Sequence, residues 1–440
     1  MISDFRFRIF DLLKSEIENP QSTIKKMDIL RIATAGSVDD GKSTLIGRLL
    51  YETKSITKDK IEALEAASKR KGLDFLDLSL LTDGLIAERE QGITIDVANI
   101  YFSTPQRKYI IADTPGHFEY TRNMVTGASN TKVSMILIDA RNGVLEQTFR
   151  HFFIASMLRI PKVIVCINKM DLVGYSEERF DAIKADIQAI ANKVSFSGQE
   201  VTFIPMSSLY GQNLSIKSTE MPWYEGSPLL EELENTSFDE ISKPARFPVQ
   251  FVVRPKTEEF HDYRGYAGKI ASGSFSVGEE VTVLPTGQSS KIATIEKFGT
   301  QLQIAGAKES VVITLETDVD VSRGNMLVKA NNQPNQLKEI TARICWMDSQ
   351  ALVSGRTYIL QHGINDSKAK IISLNSKIDV VNQETIESGV SELKLNEIGE
   401  ITLKTAKLIF ADKYEDNPAN GAFILIDDQT NSTVGVGFVL

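Results

Sequence analysis

The sequence has little cysteine and no long uncharged apolar run. Its two cysteines, Cys166 and Cys345, are spread over 440 residues, which excludes the disulfide framework of a small secreted domain. Cys166 lies in the apolar run 163–167, where we expect a buried, inert thiol. Because no uncharged apolar run reaches about 18 residues, we expect no transmembrane helix. The N-terminal residues carry charge throughout and lack a small-residue cleavage site, which excludes a signal peptide.

The chain also lacks an excess of positive charge. Its 49 Lys and Arg residues stand against 58 Asp and Glu residues, and the net charge is −9. Composition therefore supplies no general attraction to nucleic acid or to an anionic membrane, and we expect neither as a partner, although a local basic face is compatible with this balance. We expect a soluble protein in a reducing, cytoplasmic compartment.

The order of apolar and polar segments predicts three domains after a short extension. Residues 1–27 form the extension, with one helix expected from Phe5 to Glu18. Over residues 28–240, near-continuous apolar strands alternate with amphipathic stretches, which predicts a mostly parallel α/β sheet with helices on both faces. Short β-rich runs between Gly turns then predict two small β-barrels, over 245–332 and 337–440. Within the second barrel, 371–374 and 378–381 are predicted as separate strands.

The first predicted strand ends at a phosphate-binding loop. The segment matches G-x-x-x-x-G-K-[ST], in which glycines let backbone N–H groups turn toward phosphates at the N-terminus of a helix. Lys42 is predicted to reach the β- and γ-phosphates, and Ser43 to ligate Mg²⁺. The predicted nucleotide contacts in this segment are Gly36, Ser37, Val38, Asp39, Asp40, Gly41, Lys42, Ser43 and Thr44.

A second motif, Asp113-Thr-Pro-Gly-His117, directly follows another apolar strand. Asp113 is placed to hold a magnesium-bound water, and the Gly116 N–H to hydrogen-bond the γ-phosphate. A lone histidine is more often structural, but the position of His117 directly after this glycine favours a catalytic role in orienting the attacking water. We predict nucleotide contacts from Asp113, Thr114, Pro115, Gly116 and His117.

A third motif, Glu88-Arg-Glu-Gln-Gly-Ile-Thr94, lies between the first two. By itself it would be an ordinary charged loop, but its position predicts the first switch, formed by Gly92, Ile93 and Thr94. The Thr94 hydroxyl would bind Mg²⁺ only while the γ-phosphate is present.

The fourth motif, Asn168-Lys-Met-Asp171, identifies the base. The Asp171 carboxylate can accept hydrogen bonds from the two adjacent guanine donors, which adenine lacks. Asn168 is expected to tie the loops together and the Lys169 stem to pack along the nucleotide, with Met170 also in contact. The run Ser207-Ser208-Leu209 ends a further strand, where a backbone N–H can donate to the guanine O6. Four motifs in this order predict a GTPase that uses GTP and Mg²⁺.

The predicted architecture resembles elongation factor Tu and its eukaryotic counterpart, although the motifs differ in detail. Translation factors usually carry histidine and threonine in place of Asp40 and Ser43, and arginine in place of Gln91. Several segments are instead similar to the GTPase subunits of bacterial sulfate adenylyltransferase. They are residues 36–43, 83–96, 120–129, 139–143, 221–224, 263–266 and 320–324. This resemblance extends from about Ile29 to the C-terminus.

That family implies a heteromeric enzyme. A separate, smaller catalytic subunit forms adenylyl sulfate and pyrophosphate from ATP and sulfate, and the GTPase subunit hydrolyses GTP to drive this uphill reaction. The sequence contains no second phosphate loop for ATP. Some relatives carry a fused adenylyl-sulfate kinase domain, but kinase activity is not expected from a sequence that stops at Leu440. The resemblance also implies that Val38 and Ile93 form an apolar gate for His117, although both fit ordinary loop packing equally well.

Two other hypotheses stay open. The first is a translation factor that delivers aminoacyl-tRNA, against which Asp40, Gln91 and the insert 221–224 count. The second is a regulatory GTPase whose hydrolysis drives no other reaction, which would show GTP turnover unaffected by sulfate and ATP.

Overall fold

The computed structural model describes residues 28–37, 39–70, 76–81, 98–114, 121–238, 243–255, 263–379, 384–386 and 390–440. Several predicted features lie outside these residues. They are the extension 1–27 with its helix Phe5–Glu18, Val38, the switch residues Gly92, Ile93 and Thr94, and the motif residues Pro115, Gly116 and His117.

The apolar runs of the first domain form a six-stranded sheet in the order β2-β3-β1-β4-β5-β6. All neighbours pair in parallel except β2 and β3. Every residue of β4 and β5 is buried, as expected for central strands covered on both faces. The strands are β1 (Ile29–Ala35), β2 (Ala98–Ser103), β3 (Lys108–Asp113), β4 (Val133–Asp139), β5 (Lys162–Asn168) and β6 (Glu200–Pro205).

Helices pack against both faces of this sheet, so the predicted α/β domain is confirmed. Leu45 and Leu49 of the first helix join the core on one face, and Phe152 of the fourth joins the core on the other. In the described part of this domain, two 3₁₀ turns are also present, Leu78–Leu81 before β2 and Met170–Val173 after β5. The helices are α1 (Lys42–Glu52), α2 (Lys58–Arg70), α3 (Thr121–Ala128), α4 (Glu146–Met157), α5 (Glu177–Val194) and α6 (Leu229–Asn235).

The middle domain is a curved antiparallel sheet around its own apolar core. Its ladder runs β7-β16-β11-β12-β15-β9-β8, with β13 paired to β12 and with β10 and β14 paired separately. Arg246, the first residue of β7, exchanges backbone hydrogen bonds with residues 271 and 272, which follow β9. These bonds connect the two ends of the sheet. The strands are β7 (Arg246–Pro248), β8 (Phe251–Val253), β9 (Gly265–Lys269), β10 (Ser274–Ser276), β11 (Glu280–Leu284), β12 (Gln288–Lys297), β13 (Thr300–Leu302), β14 (Ile304–Gly306), β15 (Ser310–Leu315) and β16 (Met326–Lys329).

The C-terminal domain is a closed six-stranded barrel, because β19 pairs with both β24 and β20 in the order β19-β24-β25-β17-β23-β20. β21 extends the sheet from β20, and β18 pairs with β22. The elements are β17 (Asn335–Trp346), β18 (Leu352–Val353), β19 (Thr357–His362), β20 (Asn365–Asp379), β21 (Glu384–Ile386), β22 (Glu392–Leu393), β23 (Ile398–Ala411), α7 (Pro418–Gly421), β24 (Ala422–Ile426) and β25 (Thr433–Val439).

The prediction of separate strands at 371–374 and 378–381 is wrong, because β20 continues through both runs as far as Asp379. Its pairing with β23 shifts twice, between Ile371 and Ser373 and between Leu374 and Ser376. These irregularities bend the strand without ending it, as β-bulges do. The polar residues that suggest a break in the sequence occupy this bent part of a continuous strand.

A buried ion pair joins the two barrels. Arg246 is 1% exposed and donates to both carboxylate oxygens of Asp412, at 3.0 and 2.7 Å. Asn417 and Asn420 also donate to Asp412, at 2.8 and 2.9 Å, and the Asn332 carbonyl accepts from Arg246 at 2.7 Å. Almost every polar atom of the pair is therefore matched, which is what a buried ion pair requires to be stable.

The first domain contacts the C-terminal barrel through a continuous apolar core. Tyr414 and Phe438 of the barrel belong to the same core cluster as Phe152 of α4 and Ile183 of α5. The Tyr414 hydroxyl donates to the Leu158 carbonyl at 3.2 Å, so the polar end of this side chain is also satisfied.

Both cysteines are free and fully buried, which confirms the expectation for Cys166. Burial raises the pKa of each thiol to about 12, because a thiolate is poorly solvated in the core. Within the described ranges, no helix combines the length and the apolar character needed to span a bilayer.

Candidate nucleotide-binding site

Parallel pairing brings four motif-bearing strand ends to one edge of the sheet. Thr34 of β1 pairs with Asp113 of β3, and Asp139 of β4 pairs with Asn168 of β5. β6 ends beside β5, so Ser207 and Ser208 follow at the same edge. This is the edge of open α/β sheets at which ligands bind. The described residues of the phosphate loop, of the second motif and of the fourth motif are thus brought together.

The phosphate loop is held in shape by its own lysine. Lys42 Nζ donates to the carbonyls of Gly36, at 2.7 Å, and Ser37, at 3.2 Å. Gly41 precedes α1 with a φ of 94°, and an added Cβ there would overlap the Asn168 amide, so a side chain is excluded by both conformation and space. Burial lowers the pKa of Lys42, and Asp113 and Asp40 oppose that shift. A buried ammonium beside a helix N-terminus suits an anionic ligand.

The Asp40 side chain forms a hydrogen bond within the phosphate loop. Its carboxylate accepts from the Ser37 N–H at 2.5 Å, and the residue is 3% exposed. Burial raises the pKa of Asp40, while the Ser37 hydrogen bond and the charge of Lys42 lower it. The side chain therefore stabilises the loop's conformation. The Asp40 backbone is also engaged, because its N–H donates to the Ser37 carbonyl at 3.3 Å.

Asn168 connects the phosphate loop with the serine run. Its amide nitrogen donates to the Asp40 carbonyl at 2.8 Å, and its oxygen accepts from the backbone N–H and the hydroxyl of Ser208, both at 2.9 Å. The Ser208 N–H is thus already occupied and does not suit the predicted donation to guanine O6. In the part of the chain that the structure describes, the Leu209 N–H has no acceptor, so Leu209 is the better candidate donor.

The Lys169 backbone is in the left-handed conformation, with φ at 60°, and its side chain contacts both the phosphate loop and the end of β4. Its ammonium donates to the Asp39 carbonyl and lies 3.0 Å from Asp139 Oδ2. Burial alone would raise the pKa of Asp139, but hydrogen bonds from Arg141 and Lys169 outweigh it and lower that pKa to about 2. No sequence motif gives Asp139 or Arg141 a role, although the position of Asp139 at the end of an apolar strand is a usable signal.

Two threonines support the second motif. Thr34 donates its hydroxyl to Asp113 Oδ1 at 2.8 Å, and Thr114 donates its hydroxyl to the Thr34 carbonyl. Asp113 is 2% exposed, so its carboxylate is held in one orientation at the sheet edge. The role of Thr34, inside β1, is not readable from any motif.

Asp171, the predicted base reader, lies on the 3₁₀ turn Met170–Val173. The Met170 side chain is fully buried in the core, and its N–H donates to the Met206 carbonyl at 3.1 Å, which fixes the turn against the end of β6. Asp171 is half-buried, and no described residue donates a hydrogen bond to its carboxylate. Met170 thus positions Asp171, whose acceptor oxygens are left for a ligand.

Two family profiles match this chain. The profile described as the elongation factor Tu GTP binding domain matches residues 27–240. The profile described as GTP-eEF1A C-terminal domain-like matches residues 339–440. These matches cover the α/β domain and the closed barrel.

Curated relatives match over nearly the whole chain. Sulfate adenylyltransferase subunit 1 of Psychromonas ingrahamii is 46% identical over 98% of this chain and 90% of its own length. The protein of the same name from Bacteroides fragilis is 47% identical over 94% of this chain and 87% of its own length. The bifunctional enzyme CysN/CysC of Mycobacterium tuberculosis is 48% identical over 94% of this chain and 67% of its own length. By its fold, its strand-end motifs and these identities, the chain belongs to the sulfate adenylyltransferase subunit 1 family.

Proposed function

We propose that this chain binds and hydrolyses GTP, and that hydrolysis drives the formation of adenylyl sulfate and pyrophosphate from ATP and sulfate on a separate catalytic subunit. GTP binding is supported chiefly by the Asn168 side chain, which joins the phosphate loop to Ser208. Lys42 and Asp171 lie at the same edge of the sheet. The coupling part is supported by identities of 46 to 47% to proteins named sulfate adenylyltransferase subunit 1.

Each motif residue then has a role in the proposed site. Backbone N–H groups of the phosphate loop that have no partner within the loop bind phosphate oxygens together with the Lys42 ammonium, and Asp171 accepts from the guanine ring. The Lys169 stem packs along the nucleotide, while its ammonium is held by Asp139. Gly92, Ile93 and Thr94 are proposed as a switch, and His117 as the residue that orients the attacking water.

The residues present suit Mg²⁺, a cation that prefers oxygen ligands. Ser43 offers a hydroxyl on the first turn of α1, and Asp113 offers a buried carboxylate. No group of three or more His, Cys, Asp or Glu side chains able to hold a metal occurs among the described residues, so phosphate oxygens and water would complete the coordination. When bound, Mg²⁺ would neutralise charge that develops on the β- and γ-phosphates. We propose Ser43, Thr94 and, through water, Asp113 as its ligands.

The proposal also includes the domain boundaries, the cellular location and the partner of the protein. We propose domains at 28–240, 245–332 and 337–440, a cytoplasmic location, and a smaller catalytic subunit as the obligate partner. For coupling, that partner must bind the GTP and GDP states with different affinities, because only a difference in affinity shifts an equilibrium.

Coupling is tested by purifying the chain with its catalytic partner and measuring adenylyl sulfate with GTP, with GDP and without nucleotide. We expect GTP to raise the amount formed by at least about fivefold, and sulfate with ATP to accelerate GTP turnover. A matched complex that carries Lys42→Met should lose the effect of GTP, since the phosphate loop loses its ammonium. Product formation that does not depend on GTP would show that the coupling proposal is wrong.

The profile names keep a second function open, that of a translation factor which delivers aminoacyl-tRNA. The experiment that favours it would be GTP-dependent protection of aminoacyl-tRNA from deacylation by this chain. We expect no protection, because Asp40 and Gln91 depart from the residues usual in translation factors.

His117→Ala is expected to lower the rate of GTP hydrolysis about 100-fold, the lower range for the loss of a group that positions a proton transfer. The Kd for GTP should stay close to the wild-type value, because the phosphate loop and Asp171 are unchanged. Single-turnover hydrolysis and nucleotide binding measure the two effects separately. His261→Ala, which replaces a histidine outside the four nucleotide motifs, is the control. A large loss of GTP affinity in His117→Ala would contradict the proposed role.

A further inference from the structure

The insert Met221–Tyr224, to which the proposed function gives no role, reaches the loop that follows the base-reading aspartate. The indole Nε1–H of Trp223 donates to the Tyr175 carbonyl at 3.1 Å. The Trp223 ring also packs on Phe180 of α5, with centroids 5.2 Å apart. This contact joins two segments 48 residues apart in the sequence.

The backbone of Tyr175 adopts a conformation that glycine occupies more readily than other residues. Its φ is 56° and that of the preceding Gly174 is 61°, so two consecutive residues are left-handed where the chain leaves the 3₁₀ turn. A bulky residue in this region is a strained outlier, and such strain persists only where the surroundings impose it. Here the Tyr175 N–H donates to the Met170 carbonyl at 2.9 Å, and its carbonyl accepts from Trp223.

The Tyr175 side chain extends toward loop 207–212, which lies on the other side of the predicted base site. Its hydroxyl lies near Gln212, which pairs through its backbone with Ser207. Asp171 and Tyr210 lie close enough to act on it electrostatically. Tyr175 therefore bonds to the turn that carries Asp171 and lies near the loop 207–212, the two segments that would close around a guanine.

The insert itself is firmly anchored to β6, the strand that leads into loop 207–212. The Tyr224 hydroxyl donates to the Phe203 carbonyl at 3.2 Å. Asn213 donates to the Pro205 carbonyl at 2.9 Å, and its amide nitrogen also lies 4.0 Å from the Met221 sulfur. Met221 is 1% exposed. Trp223 is thus presented from a fixed base, so it can impose a position on Tyr175.

We infer that Trp223 and Tyr175 are positioning residues that set the distance between Asp171 and loop 207–212, and thereby the affinity and residence time of guanine nucleotides. This inference rests on the proposed function, because it takes Asp171 as the base reader. Neither residue touches the nucleotide in this account. Loosening the contact should weaken recognition of the base and leave the chemistry at the γ-phosphate intact.

The chain offers a matched pair of variants, because its two tryptophans make the same kind of bond. Trp346 donates its indole N–H to the Gln350 carbonyl at 2.7 Å, and it lies in the core of the C-terminal barrel. Trp223→Phe and Trp346→Phe each keep a ring and remove one donor, and only the first lies beside the base site. Tyr175→Phe removes the hydroxyl that lies near Gln212 and serves as a second, smaller change at the same place.

The measurements are the release rate of GDP labelled on its ribose, the KM for GTP against kcat, and the preference for GTP over ITP, whose base lacks the 2-amino group. For Trp223→Phe we expect GDP release and KM to rise about fivefold, the effect of losing one well-placed hydrogen bond. The preference for GTP should fall, and kcat at saturation should be unchanged. Tyr175→Phe should change the same quantities in the same direction.

Unchanged GDP release in both Trp223→Phe and Tyr175→Phe would overturn the inference. So would an equal rise in Trp346→Phe, because it would show general destabilisation instead of local positioning. If the wild-type chain bound no labelled GDP at all, the proposed function would fail first. A thermal melt of each variant verifies that the folded protein is being compared.

Discussion

Asp171→Asn is expected to reverse the base preference, changing the ratio of GTP to XTP affinity by about 10,000-fold. The Asp171 carboxylate can accept from the guanine N1–H and from its 2-amino group at the same time. The asparagine amide instead presents one acceptor and one donor, so its NH₂ would face the guanine amino group. The same NH₂ would suit xanthine, which has a carbonyl oxygen in that place.

The magnitude follows from the charge on the acceptor. Hydrogen bonds to a charged group contribute about 1.5–3 kcal/mol each. A loss of about 3 kcal/mol weakens GTP binding roughly 100-fold, since each 1.4 kcal/mol is tenfold, and a comparable gain for XTP doubles the change in the logarithm of the ratio. The structure supports this expectation, because Asp171 is half-buried on a turn that Met170 fixes to the sheet.

Equilibrium competition between labelled GDP and either GTP or XTP measures this ratio directly. Asp186→Asn, an exposed aspartate on α5, makes the same chemical change away from the site and should leave the ratio unaltered. If Asp171→Asn kept the wild-type preference for GTP, the assignment of Asp171 as base reader would be wrong.

Arg246→Met should lower the free energy of unfolding by about 3–5 kcal/mol, the usual cost of removing one partner from a buried ion pair. The variant leaves the Asp412 carboxylate between the barrels with only Asn417 and Asn420 as donors. Methionine keeps much of the side-chain volume, so the loss comes mainly from the unmatched charge and less from a cavity.

Urea denaturation followed by far-UV circular dichroism measures this effect, with the unfolding midpoint compared between variants. Arg264→Met is the control, since Arg264 pairs with Asp318 at the surface and an exposed pair contributes only about 0–1 kcal/mol. If Arg246→Met cost no more than the control, the barrels would not depend on this pair for their association.

Local patterns in the sequence predict the parts of the site that lie on short continuous segments. The phosphate loop, Asp113 and Asn168–Asp171 each follow an apolar strand, and parallel pairing alone brings such ends together. The α/β domain and the two barrels follow in the same way from the spacing of apolar residues.

Contacts between distant segments could not be predicted. The sequence suggests that Ser208 lies near the base, but only the folded chain shows that Asn168 occupies the Ser208 N–H. Thr34 supports Asp113 from 79 residues away, and Asp139 holds Lys169 without belonging to a motif. The same limit explains the wrong break in β20, because polar residues at a bulge resemble those at a turn.

The two buried thiols have a practical consequence. Cys166 and Cys345 are the only cysteines in the sequence, and both are shielded and hard to ionise. A cysteine introduced at the surface would therefore be the only one that reacts readily with a maleimide. Two such cysteines, one on the α/β domain and one on a barrel, would carry a dye pair that reports whether the distance between the domains changes with the bound nucleotide, without removal of any native residue.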